Sequence, residues 1–141
     1  MTLDEIREMW REDCVVDQND LDTENFKCTV IHEKYLNIWS QFKLMLSEAE
    51  VKRKVMLREK FEYYSGKAPA AVYKEKPFAL KVLKGDLPMY IDSDPDLTRA
   101  QQKIDYLETC INSIDRILKQ IDSRGFAIKN TIEIVKYYGI R

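Results

Sequence analysis

Apolar residues recur along most of this chain at spacings of three and four, the period of a helix buried on one face. Leu3, Ile6, Met9 and Trp10 form the first such group. Thr2 followed by Glu5 is a capping-box pattern, in which each side chain satisfies the other residue's free amide at a helix start. The pattern lapses from Asp13 to Asp22, a polar stretch rich in Asp and Asn that reads as a turn. Asp22 or Thr23 can then cap a second helix. Its stripe is Cys28, Ile31, Tyr35, Ile38, Phe42, Met45 and Ala49. At the same spacing the next positions are Lys52, Met56, Glu59 and Tyr63, so the apolar seam is expected to fail near Lys52. No glycine or proline precedes Gly66, which is placed to stop the helix after Ser65. About 43 residues of helix is on the order of 65 Å. One small core cannot cover that length, so the helix is expected to pack on other copies of the chain.

Residues 67–94 read as a connector. Phe78 to Leu83 alternates partly, Lys84-Gly85-Asp86 makes a turn, and Leu87 to Ile91 is apolar again, the pattern of a small β-hairpin. Ser93-Asp94-Pro95 then announces a helix with Pro at its first position. Ile104, Leu107, Ile111, Ile114, Leu118 and Ile121 follow as a heptad run. Gly125 interrupts it, and Phe126, Ile128, Ile132 and Val135 continue a helical pattern. The run serves either as the core of a helical hairpin or, in part, as a seam between subunits. The expected architecture is mainly α, with long amphipathic helices and a small β-hairpin connector, assembled as a homo-oligomer. It is read as one domain: a helical part over 1–66, the connector over 67–94 and a helical oligomerisation part over 95–141.

Charge changes the picture more than composition does. The net charge is −1, but residues 1–25 hold nine acids against two bases, and residues 26–84 hold thirteen bases against six acids. Such separation points to a polyanion site in the middle of the chain, to charge-guided assembly, or to a solvated helix surface. No apolar run reaches the length of a membrane span, and Met1-Thr2-Leu3-Asp4-Glu5 has neither the basic nor the apolar region of a secretory signal. Cys14, Cys28 and Cys110 are odd in number and far apart, which reads as reduced thiols. His32 is the sole histidine, and with Cys28 it supplies two ligands, too few for zinc. With no phosphate-cradling glycine loop and no positioned base beside a nucleophile, an enzyme, a cofactor and a metal are all not expected.

The strongest local chemistry lies from Lys52 to Lys67. Lys52, Arg53, Lys54, Arg58 and Lys60 are followed at once by Phe61, Tyr63 and Tyr64. Cations with interleaved aromatics suit single-stranded nucleic acid, tracking its phosphates and stacking on its bases. At 100° per residue Lys52, Arg53, Lys60 and Lys67 fall in one arc with Met56 and Tyr63, whereas Arg58 lies about 160° from Lys60. The plainer reading is a solvated face paired with Glu48, Glu50, Glu59 and Glu62.

Two strings carry a resemblance. Val55-Met56-Leu57-Arg58-Glu59-Lys60-Phe61-Glu62-Tyr63-Tyr64-Ser65-Gly66 and Ser123-Arg124-Gly125-Phe126-Ala127-Ile128-Lys129 resemble motifs of the UvsY family, recombination mediators of T-even-type phages. The order of parts is similar too. In that family a basic pair two residues apart before the tyrosines is linked to single-strand binding, and the matching positions are Arg58 and Lys60. The basic–aromatic pattern and the resemblance together give the expected DNA-binding residues: Lys52, Arg53, Lys54, Arg58, Lys60, Tyr63, Tyr64, Lys67, Arg124 and Lys129. The resemblance implies a ring of about six or seven subunits, and the apolar periodicity offers Ile104, Leu107, Ile111, Ile114, Leu118, Ile121, Ile128, Ile132 and Val135 as the residues that hold it. The implied partners are single-stranded DNA, a single-strand-binding protein and a RecA-like recombinase, in the cytoplasm of an infected bacterium. The implied function is loading that recombinase onto coated strands during phage recombination and repair. The rival is a coiled-coil scaffold whose basic face binds an acidic protein.

Overall fold

A computed structural model describes residues 1–139, and among them the backbone forms five helices and no strand. These are α1 (Leu3–Asp13), α2 (Leu21–Tyr64), α3 (Ala70–Glu75), α4 (Leu87–Asp92) and α5 (Pro95–Tyr138). The capping box forms as expected: the Thr2 hydroxyl accepts from the Glu5 amide at 3.2 Å, and the Glu5 carboxylate accepts from the Thr2 amide at 3.0 Å. α2 starts at Leu21, so Asp20 stands at its cap position, two residues before Asp22 and three before Thr23, the predicted caps. It ends in a Schellman motif, with Lys67 N–H donating to the Glu62 carbonyl and Gly66 N–H to that of Tyr63. Gly66 closes this turn at φ +79°, a conformation that disfavours any side chain.

The expected hairpin is absent from the described residues. Residues 77–83 have no regular structure, and the stretch from Leu87 to Ile91, expected as its second strand, lies within the helix Leu87–Asp92. Pro88 explains part of this: its fixed φ suits a first helical turn, and it has no N–H to give a ladder. A lone two-stranded ribbon is also marginal unless it packs well.

The described residues group into two compact units, with boundaries inside α2 and α5 rather than at the connector. Among the described residues the first contains 1–44 and 108–139, the second 45–107. In the first, Ile6, Leu21, Tyr35 and Phe42 are buried together with Cys110, Ile111, Ile114, Ile117, Leu118, Ile121 and Ile128. In the second, Leu46, Ala49, Leu87, Leu97, Ile104 and Leu107 are buried. The cover for the long second helix therefore comes from α5 of the same chain, not only from other copies. The heptad run on α5 is core of a single chain, while Ile132 and Val135 stay half-buried.

The stripe on α2 also departs from expectation. Met45 is exposed and Leu46 buried, and the inward positions continue through Ala49, Arg53, Met56 and Lys60. A straight helix at 3.6 residues per turn drifts by about 20° per heptad, which moves the seam off a strict seven-residue repeat. The apolar seam gives way near Lys52 as expected, but the packed side continues. It changes chemistry, with Arg53 and Lys60 taking inward places.

Gly125 does not interrupt α5. A Cβ built there meets nothing within 4 Å. Gly125→Ala is therefore expected to stabilise the protein by about 1 kcal/mol, since Ala restricts the unfolded chain and favours helix. A melting temperature raised by a few degrees checks this; a lowered one contradicts it.

Candidate nucleic-acid interface

The cations from Lys52 to Lys67, on α2 and in the turn after it, divide into two groups. Lys54, Arg58 and Lys67 are exposed, and Arg58 keeps 70% of its side chain open with only a long 4.0 Å contact to Glu62. Lys52 is exposed and pairs with Glu48 one turn back. Arg53 is half-buried, and its Nε is fully covered without a hydrogen-bond partner. Lys60 is held in place, with 18% of its side chain exposed. Of the arc that helix geometry assigned to Lys52, Arg53, Met56, Lys60, Tyr63 and Lys67, Arg53, Met56, Lys60 and Tyr63 are partly buried, whereas Lys52 and Lys67 stay exposed. Lys54 and Arg58, only about 40° apart on the wheel, share the open side.

Lys60 sits in an ion cluster that the sequence did not reveal. Its Nζ lies 2.8 Å from Asp96 Oδ2 and 3.3 Å from Asp94 Oδ2. Asp94 is 2% exposed. It accepts from the Tyr64 hydroxyl at 2.6 Å and caps α5 by accepting from the Asp96 and Leu97 amides. Asp96 also takes Arg99 and, at 3.9 Å, Lys76. The hydrogen bond from Lys60, then that from Arg99, holds the Asp96 carboxyl down at about 2. Burial pushes the Asp94 carboxyl up, but hydrogen bonds from Tyr64, the Leu97 amide and Lys60 outweigh it and lower it. Burial, then the bond to Asp94, pushes the Tyr64 hydroxyl up.

The tyrosines are not free platforms. Tyr63 stacks on Tyr73 with ring centroids 5.4 Å apart, and Phe78 and Tyr90 complete a cluster around Tyr64. The Tyr73 hydroxyl donates to the Tyr63 carbonyl at 2.7 Å, and the Tyr63 hydroxyl donates to that of Lys76 at 3.1 Å. This cluster ties α3 and the connector to the end of α2. Beside it, Arg58, Lys60, Tyr63, Pro69, Val72 and Lys76 contribute to a groove of about 450 Å³.

In the other unit Arg124 is structural in its contacts, not open to a strand. Its side chain is 11% exposed, and it donates to the Asp13 carbonyl at 2.7 Å and to Glu24 Oε2 at 2.9 Å. Lys129 is exposed and lines a groove of about 620 Å³ with Phe26, Cys28, His32, Asp122 and Phe126. The acids of both clusters have lowered pKa values in the folded chain: Asp13, Glu24, Asp94 and Asp96. Their contribution to stability is complete above the unfolded carboxylate value near 4. It is lost as pH falls towards about 2, where Asp96 gains its proton. The melting temperature is expected to drop steeply through that window; a flat profile contradicts the ion clusters.

A family model described as "Recombination, repair and ssDNA binding protein UvsY" matches residues 9–139. The chain belongs to the UvsY family. The recombination protein UvsY of Enterobacteria phage T4 is 25% identical over 130 residues, covering 92% of each chain. Two crystal structures of the bacteriophage T4 recombination mediator protein UvsY share the fold. One, in lattice type II, has a TM-score of 0.87 at 24% identity, covering 99% of this chain and 98% of that one. The other, in lattice type IV, has a TM-score of 0.81 at 25% identity, covering 98% and 99%. UvsY membership fits the two strings that carried the resemblance, although Lys60 and Arg124 within them are engaged in the chain's own ion pairs.

Sequence reasoning missed Asp94, Asp96, Lys76, Arg99 and the aromatic partners Tyr73, Phe78 and Tyr90. One signal was present: Arg53 and Lys60 fall on the drifting continuation of the apolar stripe. Inward cations on such a stripe call for buried acids. Among the described residues no group of His, Cys, Asp and Glu is arranged to hold a metal ion, and no helix is long and apolar enough to cross a membrane.

Proposed function

We propose that this chain is a phage recombination mediator. It binds single-stranded DNA without catalysis and promotes loading of a RecA-like recombinase onto strands coated by a single-strand-binding protein. The observation that carries the reading is the family match over residues 9–139. The open cations Lys52, Lys54, Arg58 and Lys67 support it with a surface suited to a phosphate backbone. Arg53, Lys60, Tyr63 and Tyr64 support that surface from within. Lys129 adds an open cation in the other unit, while Arg124 holds that unit together.

The working form is a homo-oligomer, a ring of about six or seven subunits. Because most of the α5 heptad run is spent inside the chain, the contacts between copies use its open apolar residues. Phe126, Ile134, Tyr137 and Tyr138 are exposed, beside the half-buried Ile132 and Val135. Many weak phosphate contacts on one strand gain from such multivalency. An oligomer that holds the strand in a shape the recombinase prefers shifts populations by differential affinity alone. The place of action is the cytoplasm of the infected bacterium. The deciding experiment is a recombinase loading assay on coated strands: a shortened lag at stoichiometric amounts of this protein is expected, and an unchanged lag overturns the mediator reading.

A further inference from the structure

The second unit carries a basic groove distinct from the one beside Tyr63. Its walls are α2 and the first turns of α5, and its volume is about 330 Å³. Lys52 lines it from α2, and Asp96, Arg99 and Lys103 line it from α5. Ala49, Met56 and Ala100 form the apolar lining, and the two alanines keep it accessible to a bulky group.

The charges there do not cancel. Asp94 and Asp96 face three cations, Lys60, Lys76 and Arg99. Glu48 pairs with Lys52 at 3.0 Å, and Lys103 adds only a weaker attraction to it. Lys103 and one of the cations around Asp96 are therefore surplus. Lys52 from α2 and Arg99 and Lys103 from α5 line one groove, which is the arrangement that follows a phosphate backbone. Surface ion pairs such as Lys52 with Glu48 are weak, so a phosphate can take their cations at small cost. The Asp96 carboxylate in the lining already gathers Lys60, Lys76 and Arg99 around an anion.

We propose that the groove lined by Lys52, Arg99 and Lys103 is a phosphate-binding segment of the single-strand path, joining α5 to the open cations of α2. The proposal rests on the single-stranded DNA reading and adds to it a site on α5. Binding of a fluorescent oligothymidylate, measured as a function of salt, tests it. Each lost phosphate contact lowers the log–log salt slope by about 0.7, which at 0.1 M salt is roughly fivefold in affinity. Arg99→Gln with Lys103→Gln is expected to lower the slope by about 1.4 and the affinity by about 25-fold per engaged subunit. Lys103→Gln alone, which removes no partner of Asp96, is expected to lower the slope by about 0.7 with an unchanged melting temperature. Arg116→Gln with Lys119→Gln removes the same charge from the exposed face of α5 elsewhere and is the control. If the groove variants keep the slope of that control, the groove is not on the path, while the DNA reading stands. If the unaltered protein shows no salt-dependent binding to the oligothymidylate, the DNA reading itself fails and takes this site with it.

Discussion

Lys60→Met is expected to destabilise the unit of residues 45–107 by about 3 kcal/mol, while leaving the salt slope of DNA binding unchanged. The substitution removes the cation between two carboxylates, one of them only 2% exposed. Removing one partner of a covered ion pair leaves the other uncompensated, typically at about 3–5 kcal/mol. The lower figure applies because Asp94 keeps the Tyr64 hydroxyl and two backbone amides, and Asp96 keeps Arg99 and Lys76. Arg58→Gln should do the reverse. Its side chain is open and nearly unpaired, so the melt stays put and the slope falls by about 0.7. Urea unfolding and salt-dependent binding, run on both variants, separate the two roles. A Lys60→Met protein with an unaltered melt and a reduced slope would return Lys60 to the strand.

Arg124→Met is expected to cost about 3–4 kcal/mol in the other unit, also without touching the salt slope. The guanidinium joins α5 to the end of α1 and the start of α2 through Asp13 and Glu24. Glu24 is 4% exposed at its side chain and would keep Lys27, itself more than half open. Lys27 is the larger influence on the lowered Glu24 carboxyl, with burial opposing it and Arg124 contributing least. The loss therefore falls mainly on the tie between helices. Arg124→Lys should recover only part of it, because an ammonium cannot bridge a carbonyl and a carboxylate with a planar fork. Unfolding curves within 1 kcal/mol of the unaltered protein would show that Arg124 is not a structural residue, and a reduced slope would make it a strand contact.

Local rules and periodicity together made the helices legible. Thr2 with Glu5, Asp94 before Pro95, and Gly66 after the tyrosines are signals confined to a few neighbouring residues, and each marks a real helix end. The apolar run on α5 marks buried positions because side chains three and four apart share a face in any helix. The strings around Arg58 and Arg124 carried the family. The partner of each face was not legible, since the same heptads serve a helical hairpin and an oligomer seam equally well. Tertiary packing decided that α5 covers α2 within the chain, while the helix at Leu87 in place of the expected second strand has a local cause in Pro88. It also decided which cations are open. Lys60 and Arg58 are two residues apart and alike in sequence, but one faces Asp94 and Asp96 and the other faces water. Charge along a chain is a one-dimensional count. Whether a given charge meets a phosphate or a carboxylate depends on acids 34 and 36 positions further on, brought beside Lys60 by the fold.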